Sequence, residues 1–217
     1  MELEKLWTLL GGVGEMPSRA GKFYGPLLVM GSGRTATLDK RPGAKVYETV
    51  WDDFDKVRPW KGEIMCVNDS GMHLHDRVRH WVTLHPEYMP GWMAFRRGHL
   101  YGSGDQPMTH SNKAKPGVDV TWNMGQLGGT SGLYACFVGL MLGYTEIVLA
   151  GVPMTGSGHY FDPPWYGSPF DDRASEIVWQ WAIKNVFEGR VTSLSGNTRK
   201  WMGAPVLPEV REMDLTL

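Results

Sequence analysis

Apolar residues fall along the chain in short runs that alternate with polar, glycine-bearing connections and with stretches of helical spacing. The runs at 26–30, 44–50, 63–67, 81–84, 146–152 and 190–194 predict strands. Helical spacing covers 2–10, 71–79, 131–142 and 171–187; the last opens on Asp171-Asp172 and carries Ile177, Val178, Trp181, Ala182 and Val186 on one stripe. Strands alternating with helices predict an α/β chain with a Rossmann-like, mostly parallel sheet flanked by helices. Residues 93–127 lack strong periodicity and are dominated by Gly, Ser, Pro and Asn, so they predict a long irregular excursion with one β-ribbon at most. Residues 201–217, with Pro205 and Pro208, predict a loosely packed tail, and the whole of 1–217 predicts one domain.

The densest signal runs from Gly128 to Val152. Thr130 and Ser131 are hydroxyl residues at the start of an apolar helix, Gly143 stops it, and a β-branched strand follows at once. Half of a βαβ unit is written there. Its opening leaves backbone N–H groups and hydroxyls at a positive helix end, a place suited to a phosphate or carboxylate.

Charge and composition narrow the function. The formal net charge is −1, with dispersed Lys and Arg, so there is no electrostatic case for a nucleic-acid groove or a membrane surface. Cys66 and Cys136 each sit in an apolar segment and predict reduced core thiols. The opening Glu2-Leu3-Glu4-Lys5 is no basic leader, and the run 133–142 is about half of a bilayer span, so an unexported, cytoplasmic protein without a transmembrane segment is expected. The 10 tryptophans and 28 glycines make flat side chains and loops available for stacking on rings. Homo-oligomerisation is left open.

Four patches carry candidate chemistry. Gly31-Ser32-Gly33 follows the first strand and fits the G-x-G-x-x-G/A spacing, with Glu48 or Asp52 near the position of a ribose-binding acid; no Walker A lysine follows. Asn68 and Ser70 end a strand and suit a base, ribose or phosphate, although Asp69 or Ser70 serves equally as a helix cap. His85 ends another strand, with Glu87 placed to orient it. His159 lies in the loop 152–162 with Tyr160, followed by Tyr166, as an acid or base with phosphate-facing hydroxyls. His73 and His75 would point to different faces of a helix, so no metal is assigned to them with His80 and His85.

The segment Thr130-Ser131-Gly132-Leu133-Tyr134 through Leu142-Gly143-Tyr144-Thr145-Glu146-Ile147 into Gly151 resembles the bacterial sialyltransferases of glycosyltransferase family 42: their T-S-G-V-Y helix, L-G-Y-K-E-I turn and next strand. Tyr160-Phe161-Asp162 is similar to the aromatic-Phe-Asp that follows there; Gly31-Ser32-Gly33 stands at their G-N-G, Asn68 at the asparagine of C-N-Q, and His85-Pro86 at N-P. The resemblance covers about two thirds of the chain. It implies a Rossmann-like fold, a CMP-type nucleotide-sugar donor, and a nucleotide surrounded by Gly31, Ser32, Gly33, Asn68, Ser131 and Gly132. The family's lid histidine lies later than His159 does here, and His85 replaces an asparagine. A more distant resemblance is to the archaeal-type 6-hydroxymethylpterin diphosphokinases.

The leading expectation is therefore a nucleotide-binding, glycosyltransferase-like transferase acting on small molecules, with His85 or His159 as base and no resident metal or firm cofactor. The alternatives are a pyrophosphokinase-like transferase in which Asp69, Glu87 or Asp162 would hold magnesium, and a non-catalytic nucleotide-sequestering protein. A nicotinamide dehydrogenase stands last, for want of a second substrate domain.

Overall fold

The computed structural model describes residues 1–38, 45–125, 130–162 and 172–206. The strands are β1 (Pro26–Met30), β2 (Thr35–Leu38), β3 (Lys45–Glu48), β4 (Glu63–Val67), β5 (His80–Thr83), β6 (Met108–Ser111), β7 (Val120–Thr121), β8 (Glu146–Ala150) and β9 (Val191–Ser193). The helices are α1 (Leu3–Leu9), α2 (Val50–Lys56), α3 (Met89–Gly98), α4 (Ser131–Leu142), α5 (Asp172–Ala182) and α6 (Gly196–Met202). Seven strands form one sheet in the order β7-β6-β5-β4-β1-β8-β9, every pairing parallel, while β2 and β3 make a separate antiparallel hairpin.

Both sheet faces are covered, which is why the strand runs read as continuous apolar blocks. Leu27 and Val29 point into a core with α1, α4 and α5; Leu28 and Met30 point the other way, to Phe54 of α2 and Met89 of α3. All residues of α4 are buried, so this helix lies inside the first core rather than on its surface. Thr130 caps it through Leu133 N–H, and Gly143 ends it at φ 107°. No helix among the described residues is long and apolar enough to cross a membrane. Cys66 and Cys136 are free, buried thiols.

Beside the first core lies a polar thread between β5 and β6. Trp122 Nε1 donates to His110 Nδ1 at 3.1 Å. An indole N–H only donates, so His110 Nε2 carries the proton shared with His80 Nδ1 at 3.0 Å, and His80 Nε2 donates to the Tyr144 hydroxyl at 2.8 Å. Burial holds both imidazoles neutral, pushing His80 down to about 2 and His110 to about 3.

Several expected elements differ. The run 44–50 stops as a strand at Glu48, because Thr49 and Asp52 form a reciprocal cap that starts α2. The helix expected at 71–79 is a short turn, Asn68–Met72, followed by irregular chain. Its carbonyls are diverted: buried Arg96 takes those of Gly71, Leu74 and Asp76, and pairs with buried Asp105 at 2.7 Å. The excursion 93–127 contains most of α3 and the two outermost parallel strands on that side of the sheet, β6 and β7, rather than a ribbon. At the other end of the chain, α5 gives way to a wide turn at Ile183–Phe187, and α6 extends into the expected tail. Residues 207–217 lie outside the described residues.

Candidate functional site

In the sheet order, the chain moves outward from β1 through β4, β5, β6 and β7, then returns to the other side of β1 with β8. The strand order thus reverses between β1 and β8. In open α/β sheets, the crevice beyond the carboxyl ends of the strands at this point is where ligands bind. A cleft of about 530 Å³ lies there, bordered by the ends of β1, β4, β5 and β8 and by the N-terminus of α4. That is within the usual range for small-molecule sites.

Gly31, Ser32, Gly33, Asn68, His85, Thr130, Ser131, Gly132 and His159 all line it. The two glycine corners meet across Val152: a Cβ on Gly31 would stand 2.9 Å from Val152 Cγ2, and one on Gly132 would stand 2.6 Å from Cγ1. The glycines of the first turn therefore serve close packing of turn on turn. Gly31 N–H donates to Ala150 O and Gly33 N–H to Gly151 O, both at 2.8 Å, and Arg34 N–H donates to Gly158 O at 3.1 Å. Those three groups are already spent. Ser131 and Gly132, in the first turn of α4 and lining the cleft, have no intrahelical acceptor for their N–H groups, so the positive end of α4 is a corner suited to an anion.

Asn68 adopts φ 54°, and its Oδ1 accepts from Thr83 Oγ1 at 2.8 Å. The side-chain NH2 is what it offers the cleft. His159 forms an antiparallel bridge with Gly33, and its Nδ1 is 3.1 Å from Asp162 Oδ2, which also takes His159 N–H. Arg34 donates to the carbonyls of Ser157 and Asp162 and so ties this loop to the β1 turn. His85 is held less closely, its Nδ1 3.7 Å from Glu87 Oε1 with both side chains more than half exposed.

Ser70 and Tyr160 stand elsewhere. Ser70 is buried; its hydroxyl donates to Met30 O at 2.6 Å and accepts Val67 N–H at 3.0 Å, joining the ends of β1 and β4. It is a strap between strands and does not border the cleft. Tyr160 packs edge-on against Trp51 and His73, and its phenol is pushed up to about 12, chiefly by burial. Tyr166, with Gly128 and Gly129, lies outside the described residues.

No family model matches the sequence, and no curated protein matches it. Among solved structures, the sialyltransferase CstII from Campylobacter jejuni in complex with cytidine-5'-monophosphate is similar at TM-score 0.53 and 13% identity, over 82% of this chain and 84% of that one. CST-II in complex with trisaccharide acceptor and CMP gives 0.52 and 14%, over 82% and 85%. The apo α-2,3-sialyltransferase from Campylobacter jejuni gives 0.50 and 11%, over 88% and 82%. The fold is that of these sialyltransferases.

On this sialyltransferase fold, Asp69 and the loop from Pro153 to Gly158, inside the predicted patches, border the cleft together with Tyr88 and Trp92. Asp69 and Tyr88 follow strand-end motifs closely, whereas Trp92 needed α3 to be recognised. Asp53 of α2 was not foreseeable; 1% exposed, it accepts Gly151 N–H at 3.0 Å from beneath the β8 turn. Among the described lining residues there is no Lys or Arg. Among the described residues, no three His, Cys, Asp or Glu side chains are close enough to hold a metal ion, so Asp69, Glu87 and Asp162 do not gather into one magnesium site.

Proposed function

We propose that this protein binds a nucleotide-activated sugar in the switch-point cleft and transfers the sugar to an acceptor hydroxyl, with His159 as general base. The observation that carries this reading is that the N-terminus of α4 and His159, itself paired with Asp162, line one cleft. A phosphate leaving group needs positive potential. The dipole of α4, the N–H groups of Ser131 and Gly132, and the hydroxyls of Ser32, Thr130 and Ser131 supply it. His159 donates Nδ1–H to Asp162, so Nε2 is the basic nitrogen that takes the acceptor proton, and the carboxylate stabilises the imidazolium as it forms. His85, with its looser partner, acts as a substrate contact. Asn68 gives its NH2 to the donor. A cytidine monophosphate donor is favoured, because structures on the same fold hold CMP and CMP-3FNeuAc.

The test is a thermal-shift panel of cytidine, uridine, guanosine and adenosine mono-, di- and triphosphates, with and without magnesium, followed by donor turnover. A ligand at about 100 times its Kd adds about 2.7 kcal/mol, or roughly 5–10 °C in Tm for a chain of this size. CMP should give that rise, and His159→Ala should lower turnover of a CMP-sugar by about 10²–10⁴. Nucleotide binding with no turnover of any donor, or a fully active His159→Ala, overturns the assignment. A rise confined to triphosphates with magnesium turns it toward pyrophosphoryl transfer.

A further inference from the structure

We infer that the cleft wall on β5 and α3 is a stacking subsite for a pyranose ring of the acceptor, an inference that rests on the nucleotide-sugar reading of the same cleft. Tyr88 and Trp92 stand one helical turn apart on that wall, ring centroids 5.8 Å apart and planes tilted by 42°. His85 continues the row, 6.3 Å from Tyr88 and tilted by 45°. Trp92 is anchored against the second core, while Tyr88 is 57% exposed. An anchored aromatic carrying an exposed one at the mouth of a cleft is a platform awaiting an apolar face.

The chemistry of the platform selects a sugar. Successive tilts make a stepped, curved wall, whereas a flat base stacks best on a ring parallel to it. The C–H groups of a chair pyranose are staggered, and their positive edges meet negative ring faces at different heights. A sugar also brings hydroxyls. Asp69, in the turn packed on α3, lines the same cleft. Its carboxyl group is an acceptor for a sugar hydroxyl, where a phosphate would be repelled. Tyr88 and His85 are each more than half exposed, so a saccharide seated here continues into solvent, as an acceptor chain does and an enclosed donor does not.

Saturation-transfer NMR titrations of methyl β-D-glucopyranoside, galactopyranoside and mannopyranoside, with and without CMP, test this. At least one should bind the parent protein, with transfer strongest to the C–H protons of one ring face. Tyr88→Ala, an exposed position, should weaken that binding about tenfold, and Tyr88→Phe, which keeps the ring, should restore it to within about twofold. An unchanged affinity in Tyr88→Ala, or no pyranoside binding to the parent, overturns the inference. If CMP gives no rise in Tm while pyranoside binding still depends on Tyr88, the nucleotide reading falls and the subsite stands.

Discussion

Replacing Asp53 by alanine removes the support beneath the cleft. Its Oδ2 accepts Gly151 N–H at 3.0 Å and Ser195 Oγ at 2.5 Å, and its Oδ1 takes Lys56 Nζ at 3.2 Å. In Asp53→Ala the Gly151 N–H and the Ser195 hydroxyl remain buried without acceptors, at about 1–3 kcal/mol each. The Lys56 pair, with the lysine 37% exposed, adds less than about 1 kcal/mol. The sum is about 2–7 kcal/mol, or roughly 5–25 °C in Tm for a chain of this length. Asp53→Asn keeps one acceptor oxygen and should lose about half as much. Urea denaturation followed by circular dichroism measures all three proteins. The loss should also reach the ligand: Gly151 O holds Gly33 N–H at 2.8 Å, so a loosened β8 turn releases the β1 turn and weakens CMP binding at temperatures where the variant is still folded. A loss below about 1 kcal/mol in Asp53→Ala, or an Asn variant as damaged as the Ala variant, would refute the reasoning.

Ser70→Ala removes the hydroxyl between Met30 O and Val67 N–H and should cost about 1–3 kcal/mol, read from the urea midpoint. Its CMP-induced rise in Tm should match that of the parent, because Ser70 does not border the cleft; a lost rise would return it to the binding site. Stability should also fall in mild acid. His80 and His110 stay neutral in the fold, with values of about 2 and about 3, against an ordinary histidine near 6.5 in the unfolded chain. The unfolded chain therefore binds protons that the fold refuses, so this contribution is complete above about pH 6.5 and is lost as pH falls toward 3. From about pH 7 to about pH 5 the pair should remove roughly 4 kcal/mol, above the range where carboxylates titrate. A urea midpoint unchanged across that interval would show that the two rings charge inside the folded protein.

The parts of this molecule that could be read from sequence are those whose cause is local. The cap at Thr130, the all-apolar α4, the stop at Gly143 and the strand after it depend on neighbours in the chain; the structure reproduces the bounds of the helix and the start of the strand, which ends at Ala150 rather than at 152. The loss of the helix expected at 71–79 has a remote cause. Arg96 reaches back from α3 to three carbonyls of that segment, and the carboxylate that neutralises it, Asp105, lies beyond the end of α3. No periodicity within 71–79 contains that information. Gly31-Ser32-Gly33 shows the same limit inside the candidate site. A glycine turn after a strand fits both close approach of a phosphate and close approach of another loop, and only the arrival of Gly151 and Pro153 from the far side of the switch point decides between them. With the N–H groups of Gly31 and Gly33 spent on Ala150 O and Gly151 O, the N–H groups beside the cleft that lack an intrahelical acceptor are those at the start of α4. The sequence motif lies at the cleft, yet two of its N–H donors are used within the fold, because parallel topology brings distant turns together at the same place where it opens a cleft.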